Sequence, residues 1–253
     1  DMNTVPTIKT ERLTVRFGGH VAVNNVSCEF FPGTLTAIVG PNGAGKTTYF
    51  NLISGQLPAS EGVVWFNGQN VSRLSVAQRA QLGMGRAFQL TNLFPNLTVE
   101  ENLRLVLQSK QNIGFQFWTM ADSHKQLTEQ ARSLVEKVGL GAKAEELASN
   151  LSHGGQRRLE VAMMMALDPD VYMFDEPTAG MSVDEVPVIL DLIHEIKEQS
   201  HKTIMLVEHK MDVIRSLANR IIVLHNGELV ADGAPDEVMA LPIVQEAYLG
   251  AVA

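Results

Sequence analysis

The chain has 253 residues, 45% of them hydrophobic and 19% charged, an ordinary globular composition with room for one large domain or two small ones. No apolar run approaches the roughly 18 residues that span a bilayer, and no basic-then-apolar start reads as a secretory signal, so any membrane link is expected to run through a partner. A net charge of −8 argues against a nucleic-acid groove as the main partner surface, and one cysteine forms no internal disulfide, which fits a reducing compartment.

Residues 8–17 and 21–31 alternate and are rich in β-branched side chains, so they read as a hairpin turned at Gly18-Gly19. Cys28 falls in this stretch and reads as a small core residue. Residues 35–39 are a wholly apolar strand, and a helix starts at Lys46. Another strand is expected over 62–66, turned by Asn67-Gly68, and a short one within 83–89.

From Thr98 the texture becomes helical. Thr98 and Glu101 form a capping box, and Leu103, Val106 and Leu107 follow at helical spacing. Leu127, Ala131, Leu134, Val135 and Val138 make a second stripe. A helix capped by Ser152 is expected to run to Leu167 and stop at Asp168-Pro169. Met163, Met164 and Met165 on it read as core filler. Alternating strands and helices then return: strands at 171–174, 203–207, 221–224 and 229–231, helices at 186–197 and 211–218. This alternation predicts a mainly parallel sheet covered on both faces.

Between the strand at 35–39 and its helix lie Gly40-Pro41-Asn42-Gly43-Ala44-Gly45-Lys46-Thr47. This is the phosphate-binding loop pattern Gly-x-x-x-x-Gly-Lys-Thr in its expected context of strand, turn and helix. Glycines let successive backbone N–H groups converge on phosphate oxygens at a helix N-terminus. Lys46 supplies a point charge for the β- and γ-phosphates, and Thr47 a hydroxyl for Mg²⁺, with Thr48 beside it in the cradle. The chain is therefore expected to bind a nucleoside triphosphate. The strand at 171–174 ends in Asp175 and Glu176, and ligands of open parallel sheets bind at such strand ends. Asp175 is placed to hold Mg²⁺ and Glu176 to orient or deprotonate an attacking water. Read alone, Glu176 also suits the cap of the next helix.

Leu151-Ser152-His153-Gly154-Gly155-Gln156 is a second capped, glycine-bearing helix start, and so a second anion site. It resembles the signature motif of ATP-binding cassette (ABC) ATPases. His153 stands where the common motif has its first glycine, and Gly155 where it has glutamine. The resemblance covers nearly the whole chain. It implies an α/β P-loop NTPase core (residues 1–91 and 169–253) with an antiparallel β-subdomain, and an inserted helical subdomain (92–168), all in one cassette.

The same resemblance implies that two subunits pair head to tail, Ser152 and Gly154 of one meeting the γ-phosphate on the loop of the other. It assigns ATP and Mg²⁺ as ligands. Gln89 corresponds to a glutamine touching Mg²⁺ and the lytic water, and His209 to a histidine on the γ-phosphate. Phe17 corresponds to the aromatic stacked on adenine, although an isolated strand phenylalanine also suits a core. Ser182, in Ala179-Gly180-Met181-Ser182, replaces a common aspartate.

Residues 83–89, Leu159-Glu160, residues 207–212 and residues 247–250 are similar to the ATPase subunits of branched-chain amino acid importers. Importers of urea or amides, exporter ATPases such as those of lipopolysaccharide, and soluble ABC proteins are the alternatives. An importer ATPase implies transmembrane permease subunits, indirectly a solute-binding protein, no nucleic acid, and a place on the cytoplasmic face of a bacterial inner membrane. The stretch 109–123 carries Phe115, Phe117 and Trp118, which suit either a contact patch or anchors onto the helical subdomain.

Overall fold

The computed structural model describes residues 5–87, 93–112 and 120–249. Gln89, Phe115, Phe117 and Trp118 lie outside the described residues. In chain order the elements are β1 (Ile8–Phe17), β2 (His20–Phe30), β3 (Leu35–Val39), α1 (Lys46–Ser54), β4 (Glu61–Phe66), β5 (Gln69–Asn70), α2 (Val76–Gln81) and β6 (Met84–Arg86). There follow α3 (Val99–Asn112), α4 (Met120–Lys137), α5 (His153–Leu167), β7 (Val171–Asp175), α6 (Val186–Glu198), β8 (Thr203–Val207), α7 (Met211–Leu217), β9 (Arg220–His225), β10 (Glu228–Gly233), α8 (Pro235–Met239) and α9 (Pro242–Leu249). The chain divides into two compact units. One takes the residues up to Gly85, Asp170–Glu176, and those from His194 on; the other takes Arg86–Pro169 and Pro177–Ile193.

The first unit holds two sheets. A four-stranded sheet has the order β2-β1-β4-β5, and its pairs are antiparallel. A six-stranded sheet has the order β10-β9-β3-β8-β7-β6, and β9, β3, β8 and β7 run parallel. Every residue of β3 and β8 is buried, as expected for strands covered on both faces. The parallel register sets the position of the site. Val207 pairs with Ile38 on one side and with Asp175 on the other. The loop after β3 and the acids after β7 therefore leave the sheet at the same end. Beneath them Ile38, Tyr49, Phe50, Met173 and Met205 belong to one apolar cluster.

The second unit packs α3, α4 and α5 together, burying Leu103, Leu107, Leu127, Ala131, Val135, Val138 and Leu159. The capping box at α3 forms in both directions. Glu101 N–H donates to Thr98 Oγ1 (3.1 Å), and Thr98 N–H donates to Glu101 Oε2 (2.8 Å). The fully buried Asn102 ties down the approach to α3: its Oδ1 accepts from Phe94 N–H (2.8 Å) and its Nδ2 donates to Phe94 O (3.1 Å). α5 ends at Asp168, in the left-handed region at φ 50°. Pro187 sits inside the first turn of α6, where the missing N–H is harmless. Helices α2, α8 and α9 were not anticipated from periodicity.

Candidate nucleotide site

The first unit gathers the phosphate-loop residues. Gly40 has φ 156° and lies so close to Leu224 O that a Cβ there would overlap it. Gly45 has φ 99°, and a Cβ would stand 2.6 Å from Ala22 O. Both positions admit only glycine, for packing as well as torsion. The turn is closed by Ala44 N–H donating to Pro41 O (3.1 Å) and by Gly227 N–H donating to Ala44 O (2.9 Å). Asn42 and Gly43 are exposed, and Thr48 is partly so.

Lys46 is the first residue of α1 and is largely buried. Its Nζ donates to Gly40 O and to Pro41 O, the latter at 3.4 Å. Burial pulls its pKa below the ordinary lysine value, opposed by the negative charges of Glu176, Asp175 and Glu208. Thr47 Oγ1 donates to Asp175 Oδ2 across 3.4 Å. A hydroxyl and a carboxylate converging at a phosphate loop are the hard oxygen donors that Mg²⁺ uses alongside water and phosphate. Among the described residues no group of three or more His, Cys, Asp or Glu side chains would hold a metal without such help.

Glu176 follows directly. Its φ is 46°, uncommon for a non-glycine residue, and its N–H donates to Val207 O (2.9 Å). The left-handed turn redirects the carboxylate after the buried strand, and Oε1 stands 3.1 Å from His209 Nδ1. Strain of this kind gathers at working sites. Glu208, which sequence reading passed over, is 1% exposed, and its Oε1 accepts from the N–H groups of His209 (2.9 Å) and Lys210 (3.1 Å). It thereby sets the backbone that carries His209. Phe17 at the end of β1 is 50% exposed, which removes it from the core.

The second unit carries the capped glycine segment. Ser152 is the N-cap of α5, and its Oγ accepts from Gly155 N–H (3.1 Å). Gly154 is buried beside it. His153 Nε2 accepts from Arg157 Nε (3.0 Å), so the histidine in place of glycine is held along its own helix. Glu185, also unforeseen, reaches Ser152 Oγ at 3.2 Å. The spacing Ser182…Glu185 is itself a capping-box pattern and was the available signal.

A phosphate loop on a parallel sheet, acids at the end of a strand in the same sheet and a separate helical unit with its own capped glycine turn define a P-loop nucleoside triphosphatase of the cassette type. A family model described as ABC transporter matches residues 23–179, and the chain belongs to that family. It is an ATP-binding cassette whose hydrolysis of ATP drives transport. The chain is 36% identical over 250 residues to the high-affinity branched-chain amino acid transport ATP-binding protein LivG of Escherichia coli (strain K12), covering 97% of this chain and 98% of that protein. The corresponding BraF protein of Pseudomonas aeruginosa is 35% identical with the same coverage. Among solved structures, the ADP conformation of MJ1267, an ATP-binding cassette of an ABC transporter, has a TM-score of 0.81 at 28% identity, covering 98% of this chain and all of that one. A dimeric post-hydrolysis state of the cassette MJ0796, bound to ADP and Pi, has a TM-score of 0.76 at 26% identity, covering 90% and 98%.

Proposed function

We propose that this chain powers an importer of branched-chain or other hydrophobic amino acids. The observation that carries the solute class is the near full-length similarity to LivG and BraF, proteins named for that transport. In this reading ATP lies on residues 40–48, with Phe17 against the adenine. Thr47 and Asp175 hold Mg²⁺, with Gln89. Glu176 orients or deprotonates the attacking water, and His209 contacts the γ-phosphate. Hydrolysis of this kind rests on positioning and charge neutralisation more than on covalent chemistry.

Ser152 and Gly154 meet the γ-phosphate of a second cassette, so the working unit is a pair. The single cassette has its core in residues 1–91 and 169–253 and its helical part in 92–168. Among the described residues no helix is long and apolar enough to cross a membrane, and permease subunits supply the path. Binding to them places the chain peripherally on the cytoplasmic face of the inner membrane. Cells lacking the chain are expected to lose high-affinity uptake of radiolabelled leucine, isoleucine and valine. Uptake that stays at the wild-type level overturns the amino-acid reading.

A further inference from the structure

The second unit contains a carboxylate at the place where an incoming anion would sit. Glu185 Oε1 accepts from the Ser152 hydroxyl at 3.2 Å, and Oε2 accepts from Ser182 N–H at 3.2 Å. Arg158 Nη2 lies 4.0 Å from the same Oε1. The carboxylate presses against the α-carbon of Gly154, where any Cβ would overlap it. One side chain thus touches both signature residues and the backbone of the loop that carries Ser182. The Ser182 amide, with the Ser182 and Ser152 hydroxyls and Arg158 in support, holds the Glu185 carboxyl below the usual range against the opposing effect of burial.

The single proton of the Ser152 hydroxyl is committed in this arrangement: its oxygen accepts from Gly155 N–H and its proton goes to Glu185. A hydroxyl has one proton, so it donates either to Glu185 or to a phosphate oxygen. The N-terminus of α5 likewise favours one negative group, and two anions there repel.

We infer that Glu185 is a positioning residue that holds the signature segment and the Ser182 loop together until the γ-phosphate of a second subunit displaces it. The inference rests on the reading above that Ser152 and Gly154 meet that phosphate. Displacement breaks the bond to Ser182 N–H, so arrival of nucleotide at Ser152 frees the Ser182 loop. This links the two segments through Ser182, by its backbone amide and its hydroxyl. The Ser182 hydroxyl meets the same carboxylate, so the serine that replaces the common aspartate belongs to the link.

The test is the specific MgATPase rate of the full chain as a function of protein concentration, with MgATP titration of each variant as control. Glu185→Gln keeps the size of the side chain and removes its charge. It is expected to lower the half-saturating protein concentration about tenfold, since one anion no longer opposes another, with MgATP affinity unchanged. Glu185→Ala is expected to shift it the same way. If the wild-type rate depends on protein concentration and Glu185→Gln leaves the midpoint within twofold, the role of Glu185 is overturned while pairing stands. If the wild-type rate per chain is independent of concentration and the chain sediments as a monomer with MgATP, pairing of this chain with itself fails, and the inference falls with it.

Discussion

His209 Nδ1 stands 3.1 Å from Glu176 Oε1, joining residues from the ends of adjacent parallel strands β8 and β7. An ionised carboxylate only accepts, so Nδ1 is the donor in this contact. Glu208 holds the histidine's backbone from beneath, and the Glu176 turn is held by Val207 O. Both members of the pair are thus anchored on the end of β8, Glu176 through Val207 O and His209 through Glu208.

Replacing His209 by alanine removes the partner that orients the Glu176 carboxylate. The expected result is a drop in kcat of about 10- to 100-fold, with KM for MgATP moving less than about threefold, because the loss is one of orientation. Steady-state kinetics checks it, and a rise in KM at constant kcat would assign His209 to binding alone.

Arg79 is 3% exposed and closes the C-terminal end of α1, the helix that begins at Lys46. Its Nη1 donates to Leu52 O (2.9 Å) and Ile53 O (2.7 Å), its Nε to Leu74 O (3.1 Å) and its Nη2 to Ser72 O (3.2 Å). Arg79→Met keeps most of the apolar stem and leaves these buried carbonyls unpaired. Urea unfolding is expected to show a loss of about 2–4 kcal/mol. A loss under about 0.5 kcal/mol would mean that water replaces the guanidinium.

Burial on α5 pushes the Glu160 carboxyl up to about 7, with Arg157 opposing the shift. Between the ordinary value of 4.5 and about 7 the folded chain holds a proton that the unfolded chain has lost. Stability from this group therefore falls as pH rises through that window. Glu160→Gln is expected to be near neutral at pH ~5 and to stabilise by about 1–3 kcal/mol at pH ~8. Urea melts at the two pH values that give the same difference would contradict it.

Cys28 is buried under the Arg220 guanidinium, 3.3 Å from its Nη2, and burial raises its thiol to about 11. A thiol so placed is a poor nucleophile. The folded chain is expected to resist a disulfide reagent such as DTNB at pH ~8 and to release one thiol equivalent on denaturation. Rapid labelling of the native protein would contradict this burial.

The phosphate loop was legible in sequence because its requirement is local: strand, glycine turn, lysine and helix lie within a dozen residues. The buried strands β3, β7 and β8 were legible because both faces demand apolar side chains. Helix α2 was not, since its six residues carry no apolar stripe, although Ser75 and Gln78 form a full capping box. Helix α8 is announced only by Pro235 at its start and Asp236 and Glu237 in its first turn. The roles of Arg79 and Glu185 depend on partners 26–27 and 33 residues away, which spacing does not reveal.

The most direct measurement is of Glu176→Gln, the isosteric change at the strained residue beside His209. MgATP affinity by titration is expected to stay within about threefold of wild type, because the phosphate loop and Lys46 are untouched. The rate of phosphate release is expected to fall by about 100-fold or more, because the water loses its base. Turnover within twofold of wild type, with MgATP still bound, would contradict the assignment of hydrolysis to this strand end.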